Sequence, residues 1–244
     1  MQTSLDELAL YDLTCQRLRE SLTGRLPDGA DMDSTLAAYA YYVCTDFHKQ
    51  GGDWEATLHE YIEVALRDAA RETEAERREF ALLERALTRS RRSPSRLLDV
   101  GAGWGRMARV YDELGLQAMY VEPTTLGTRL MKRSGIVPVV SARGEALPFA
   151  SGAFSFSLIG WVLHHRSPHL DAAAILREVR RVTTCNGLML SLEPLSARFD
   201  MRAWTELLGE AGCAVSEMHE FFEMPNLRGE IQRYALVVAT CGHV

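Results

Sequence analysis

An α/β fold with a parallel sheet, preceded by an all-helical segment, is what three features of this 244-residue chain predict. Strand-like and helix-like stretches alternate from residue 96 onward, as in a parallel sheet with crossover helices. A buried-type strand, Leu97-Leu98-Asp99-Val100, runs through Gly101-Ala102-Gly103-Trp104-Gly105 into a helical stretch from Met107. Residues 1–95 show helical spacing and no β-like alternation. The expected division is therefore a helical appendage over 1–95 and an α/β core over 96–244.

Within the appendage, Leu5, Leu8, Cys15, Leu18 and Leu22 fit one face of a first helix, broken at Pro27-Asp28-Gly29. Ser34 is a candidate cap for a second helix carrying Leu36, Tyr39, Ala40 and Val43. Gln50-Gly51-Gly52-Asp53 breaks that one. A long helical stretch starts near Trp54, with Leu58, Ile62, Ala65, Leu66 and Ala69 on its apolar face. Its later part, Glu72 to Arg92, is dense in charge but keeps a narrow stripe of Phe80, Leu83 and Leu87. Ser93-Pro94 is expected to end it.

In the core, strands are predicted at Arg96–Val100, Ala118–Val121, Val137–Val140, Phe154–Gly160, Leu188–Leu192, Ala214–Phe222 and Tyr234–Thr240. Helices are predicted from Met107 to about Leu114, near Leu170–Val182, and over Met201–Ala211. Asn186-Gly187 reads as a turn, and the last two strands are joined by a loop through Pro225-Asn226.

Composition narrows the class. Hydrophobic residues at 47% supply a core, and no apolar run reaches the ~18 residues of a membrane span. The start, Met1-Gln2-Thr3-Ser4-Leu5-Asp6-Glu7, lacks the basic and apolar regions of a signal peptide. Five scattered cysteines with no CxxC read as reduced thiols, so the expected location is cytoplasmic. The net charge of −6 sits in residues 1–95, which hold 18 acidic and 12 basic side chains. With no basic stripe, nucleic acid is not an expected partner. An acidic segment that helps to bind substrate suits a neutral or cationic small molecule, and a solvated acidic surface is the alternative.

The glycine turn directs attention to the carboxyl ends of the strands, where α/β sheets bind ligands. A dinucleotide fingerprint needs its third glycine at position 106. That position is Arg106, and the glycine falls at 105, which opposes a nicotinamide dehydrogenase. Three glycines exceed what an unliganded turn is expected to need, so the turn is expected to approach a ligand closely. Glu122 ends the second strand, where an acidic side chain can accept hydrogen bonds from both ribose hydroxyls. Pro123 follows it.

Asp99-x-Gly101-x-Gly103-x-Gly105 resembles the first motif of the class I S-adenosylmethionine-dependent methyltransferases. Gly144-Glu145-Ala146-Leu147-Pro148-Phe149 looks like the segment after strand three in those related to ubiquinone and menaquinone biosynthesis enzymes. Leu163-His164-His165 resembles their signature after strand four, and Glu193-Pro194 also recurs among them. The resemblance covers residues 95–244. It implies a doubly wound, seven-stranded, mostly parallel sheet whose last strand is antiparallel, with S-adenosylmethionine as cofactor. By that resemblance Asp99 helps to orient the methionine ammonium, Glu122 takes the ribose, and Pro123 packs on adenine. Backbone at Gly160 and Trp161 meets the methionine part. The family has an acid where this chain has Arg143, and a Phe-Asp pair where it has Phe154-Ser155. The Arg143 plane or backbone near Gly144 then stands in at the adenine.

His164 and His165 are the candidate bases, since a neutral imidazole near the sulfonium can accept a proton from a hydroxyl or amine. Bracing the loop is their alternative role. His169 adds a third imidazole, but Pro168 breaks any helix that would align the set, so no metal is expected. Tyr11, Tyr39, Tyr42, Trp161 and Glu193 are candidate substrate residues, the tyrosines as an aromatic cage or, alternatively, as helix core. The reading is methyl transfer to an O, N or C nucleophile of a small molecule in secondary metabolism, with 1–95 as a specificity cap and a homodimer left open. Two alternatives stand beside it: a peptide or protein acceptor, and an inactive methyltransferase-like interaction module.

Overall fold

The computed structural model describes residues 6–89, 95–165, 170–225 and 231–241. The chain divides into two compact units, Met1–Arg77 and Arg78–Val244.

The first unit holds α1 (Glu7–Leu22), α2 (Met32–Gln50) and most of α3 (Trp54–Arg89). Asp31, and not Ser34, caps α2: its carboxylate accepts the Ser34 amide at 2.7 Å, and Asp31 has the extended backbone of a cap. Gly51 ends α2 in the left-handed conformation. The Trp54 indole donates to the Thr14 hydroxyl at 3.0 Å, tying the start of α3 to α1. The unit boundary falls inside α3, well before residue 95. Beyond it, Leu83 and Leu87 are buried in one core with Leu97, Met107 and Tyr111, so the apolar stripe of that charged stretch belongs to the α/β unit.

The second unit is a seven-stranded sheet in the order β3-β2-β1-β4-β5-β7-β6. Its strands are β1 (Arg96–Val100), β2 (Gln117–Val121), β3 (Val139–Val140), β4 (Phe154–Gly160), β5 (Thr183–Leu195), β6 (Cys213–Pro225) and β7 (Ile231–Cys241). The first five run parallel, and β7 is antiparallel to both neighbours. Alternation along β1 sends Leu98 and Val100 to one face and Leu97 to the other. Helices α6 (Ala172–Val182) and α7 (Met201–Glu210) bury Ile175, Val179, Trp204 and Leu208 against the first face. Helix α4 (Ala108–Glu113) and the end of α3 cover the second. The sheet is thus doubly wound, as expected.

Four local expectations change. A helix, α5 (Thr125–Arg133), lies between β2 and β3 where none was assigned, capped by the Thr124 side chain. β3 is two residues long, because Pro138 has no N–H to extend the ladder. Asn186-Gly187 does not end a turn but lies inside β5, where Asn186 takes a φ of 61° and the register shifts between Phe154 and Phe156 of β4. β6 continues to Pro225, past its expected end at Phe222. Ser93-Pro94, Pro168, His169 and Asn226 lie outside the described residues.

Candidate active site

Parallel pairing brings the tips of β2, β1 and β4 side by side, with Val100 opposite Val121 and Ile159. The glycine turn starts from that edge. Gly101 and Ala102 donate their amides to the Val121 carbonyl at 2.8 and 3.1 Å. Gly101, Gly103 and Gly105 have φ of 77°, 59° and 85°. A Cβ on Gly101 would stand 2.5 Å from the Val162 side chain, and one on Gly105 would stand 2.7 Å from Ile136. Backbone conformation and packing therefore require all three glycines. The expectation that an unliganded turn needs only one does not hold here.

Glu122 faces this turn from the tip of β2. It is 3% exposed; Oε2 accepts the Gly103 amide at 2.8 Å, and Oε1 accepts the Thr124 amide at 2.9 Å. Gly127 of α5 is packed against the same place, since a Cβ there would stand 2.5 Å from the Gly103 carbonyl oxygen and 2.7 Å from Glu122 Cγ. A backbone carbonyl cannot move aside as the end of a flexible side chain can. Gly127→Ala is expected to displace the turn and weaken S-adenosylhomocysteine binding at least about tenfold, as read by calorimetry. Pro123 is exposed beside Glu122.

Asp99 is placed differently from expectation. It shares the Leu97 face of β1, is 3% exposed, and accepts the Tyr111 hydroxyl at 2.9 Å. Its expected hold on a methionine ammonium is not a direct one in this arrangement, because the carboxyl is buried and engaged by Tyr111. Burial pushes that carboxyl up to about 7, against the opposing pull of the Tyr111 hydroxyl and the Arg106 cation. The folded chain thus holds a proton that the unfolded chain releases near 3.8. This contribution to stability is complete below that value and is lost as pH rises through about 7. Thermal melts are expected to shift downward from about pH 5.5 to about pH 8.5. Asp99→Asn, which keeps an acceptor for Tyr111, is expected to reduce the shift.

The segment after β3 is held from α6. Arg181 donates to the carbonyls of Phe149 and Leu147 at 2.7 and 2.9 Å, and Glu178 accepts the Leu147 amide at 2.9 Å. Arg143 is exposed and pairs with Glu145 at 2.8 Å. Gly144 is in close contact with Ile175 and Val100, which explains why no larger residue stands there.

At the tip of β4, Gly160 faces open space: a Cβ built on it would meet no atom within 4 Å. The next residues form a tight turn around Glu193. Glu193 is expected just after strand five as a substrate residue. It lies inside β5 opposite Ala235, with a side chain that is 0% exposed. Its Oε1 accepts the amides of Val162 and Leu163 at 3.1 and 2.9 Å. Its Oε2 meets the His164 amide at 3.2 Å and His164 Nδ1 at 2.7 Å. A carboxylate that accepts leaves the proton on Nδ1 and makes Nε2 an acceptor. The His165 ring lies 4.0 Å from that of His164 and is exposed.

Trp161 is held from the opposite side of the sheet. Its φ is 60°, its amide donates to the Leu192 carbonyl at 2.7 Å, and its indole donates to Glu79 at 3.2 Å. The ring packs against Tyr234 at 5.3 Å. Tyr11 and Tyr39 are 8% and 1% exposed within the helical unit, so they are interior residues and not faces of a cage. Tyr42 stacks on Tyr61 at 6.2 Å. Among the described residues, no group of His, Cys, Asp and Glu is arranged to hold a metal ion.

A family model described as a methyltransferase domain matches residues 98–191, from β1 through the glycine turn and His164 into β5. The malonyl-acyl-carrier-protein O-methyltransferase of Legionella pneumophila is 28% identical over 144 residues, covering 55% of this chain and 48% of that protein. The chain thus spans about half the length of this curated relative. A methyltransferase structure from Methanosarcina mazei is similar with a TM-score of 0.56 at 13% identity, covering 65% of this chain and 98% of that one. The geranyl diphosphate C-methyltransferase of Streptomyces coelicolor A3(2), solved with Mg2+, geranyl diphosphate and S-adenosyl-L-homocysteine, gives 0.55 at 16% identity, covering 74% and 82%. The 4+2 cyclase SpnF gives 0.56 at 16% identity, covering 73% and 83%.

Residues 98–191 match a methyltransferase domain, and the sheet that carries them has the fold of solved S-adenosylmethionine-dependent methyltransferases. The cofactor of that class is S-adenosylmethionine. At the strand tips the Glu122 carboxylate holds the Gly103 and Thr124 amides against the glycine turn, and Gly160 borders open space.

Proposed function

We propose that the chain transfers the methyl group of S-adenosylmethionine to a protic O, N or C nucleophile of a small molecule, neutral or cationic. The observation that carries this reading is the 2.7 Å contact between His164 Nδ1 and the buried Glu193 carboxylate, two residues from the turn that meets Gly101. S-adenosylmethionine, when bound, supplies an electrophilic methyl carbon on a sulfonium, which leaves as the thioether S-adenosylhomocysteine. Glu122 would receive the ribose hydroxyls, with Thr124 giving up its share of the carboxylate, and Pro123 would pack on the base. Backbone at Gly160 would line the methionine end. His164 Nε2 takes the acceptor's proton. Glu193 fixes the ring and stabilises the imidazolium. His165 borders the acceptor.

A cytoplasmic, reducing setting is supported by five free cysteines, and no described helix is long and apolar enough to cross a membrane. The acidic excess of residues 1–95 supports a specificity role for that segment and the absence of a nucleic-acid partner. One finding favours a second reading, an acceptor tethered to a carrier protein: the relative is named for such a substrate. The 4+2 cyclase among the neighbours favours keeping a third open, a methyltransferase fold used for other work.

Methyl-labelled S-adenosylmethionine, offered with alcohol, phenol, amine, carboxylate and acyl-carrier acceptors, separates these. Label on a hydroxyl, phenol or amine, lost in His164→Ala, is the expected result. Label on carboxylates alone, unaffected by His164→Ala, would contradict the base assignment, because a carboxylate has no proton to lose.

A further inference from the structure

We infer that Glu79 is a positioning residue that fixes the cofactor turn and the catalytic turn to each other; the inference rests on the methyl-transfer reading above. Glu79 lies on α3, and its side chain is 3% exposed. Oε2 accepts from Arg106 Nη1 at 2.6 Å and Oε1 from Nη2 at 2.9 Å, a two-pronged ion pair. The same Oε1 accepts the Trp161 indole N–H at 3.2 Å. One buried carboxylate therefore holds the residue that follows Gly105 and the residue that follows Gly160.

Three features make this more than packing. First, the Arg106 guanidinium also lies over the Trp161 ring at 5.5 Å and the Phe80 ring at 5.8 Å, so the two turns meet each other as well as Glu79. Second, Trp161 holds a φ of 60°, a region costly for a bulky side chain, and it persists only where the surroundings over-determine it. Glu79 and Leu192 are the hydrogen-bond partners that do so. Third, a buried ion pair contributes less to stability than a well-packed apolar pair would, so its value is in fixing geometry. The turn 161–164 is thus clamped from both sides of the sheet, by Glu193 on its amides and by Glu79 on its indole. The Glu79 clamp also holds Arg106, the residue that follows the glycine turn. Loss of its charge frees Arg106 and lets the two walls of the cofactor site drift apart.

The test is amide hydrogen exchange on the ligand-free full chain, followed by calorimetry with S-adenosylhomocysteine. Glu79→Gln keeps the size of the side chain and removes its charge. The expected result is exchange about tenfold or more faster in both 101–106 and 161–165, with S-adenosylhomocysteine bound at least about tenfold more weakly. Leu87→Ala is the comparison, since it loosens the same helix from the same core without touching Arg106. It is expected to leave both turns protected. Unchanged protection in Glu79→Gln, or equal deprotection in Leu87→Ala, would overturn the inference. Should Glu79→Gln fail to fold, Trp161→Phe removes the indole N–H bond and keeps an aromatic ring at that place, and it is expected to speed exchange in 161–165; no change there would also overturn it. Wild-type protein that binds no S-adenosylhomocysteine would refute the methyl-donor reading and leave the exchange result standing. Equal affinity in wild type and Glu79→Gln would refute the positioning role alone.

Discussion

Glu193→Gln is expected to leave the fold standing and to lower turnover by about 10²–10⁴-fold, with little change in affinity for S-adenosylhomocysteine. The carboxamide oxygen can still accept the amides of Val162 and Leu163, which Glu193 Oε1 holds at 3.1 and 2.9 Å. Its NH2 group then faces His164 Nδ1, where the carboxylate oxygen stood at 2.7 Å. A donor there forces the ring into the other tautomer, with the proton on Nε2 and no base toward the acceptor. Glu193→Ala removes the acceptor for three amides of the turn as well, and is expected to destabilise the domain by about 3–5 kcal/mol. Urea titration reads the second effect, and steady-state kinetics on the labelled acceptor reads the first. Equal turnover in wild type and Glu193→Gln would show that His164 braces its loop and carries no proton.

Gly101→Ala is the second large effect. At a φ of 77° an L side chain costs about 1–2 kcal/mol, and the new Cβ would stand 2.5 Å from Val162 Cγ2. Overpacking adds about 1–3 kcal/mol. Val162 is the first of the amides held by Glu193, so relief of the clash moves the catalytic turn together with the cofactor turn. Affinity for S-adenosylhomocysteine is expected to fall by about a hundredfold, the equivalent of the ~2.8 kcal/mol involved. Gly52→Ala is a fair comparison, since a Cβ there meets nothing within 4 Å, and it is expected to melt with the wild type. A Gly101→Ala protein with wild-type melting and binding would show that the turn is looser than described.

What could be read from the sequence follows from how each residue earns its place. β1 and β4 were placed to the residue at Arg96–Val100 and Phe154–Gly160, because buried parallel strands are continuous apolar runs. Asn186-Gly187 misleads because a positive φ in a bulge and one in a turn look alike, so β5 starts at Thr183, ahead of its expected start at Leu188. α5 escapes a sequence reading because three of its first four residues, Thr125, Gly127 and Thr128, are poor helix formers, held by the Thr124 cap and by packing. Ser34 is the cap the sequence suggests for α2, and Asp31, three residues earlier, takes that place.

Of the candidate site, the Gly101–Gly105 turn, Glu122 and His164 are brought to neighbouring strand tips. Glu79 left no signal of its own, because it stands in a stretch of arginines and glutamates that reads as a solvated helix surface. Arg106 was informative only as a departure from the dinucleotide spacing, yet it is the partner that keeps Glu79 buried. Asp99 shows the converse. Its motif position was plain, but one strand residue either side of it decides the face, and that face carries Tyr111.

The central claim is that the turn at 101–105 and the carboxylate at 122 hold an adenosyl group. Titration calorimetry of the intact chain with S-adenosylhomocysteine tests it most directly. The account predicts one site of micromolar or tighter affinity, weakened by Glu122→Ala. No heat of binding at millimolar ligand, or equal affinity in Glu122→Ala, would contradict it.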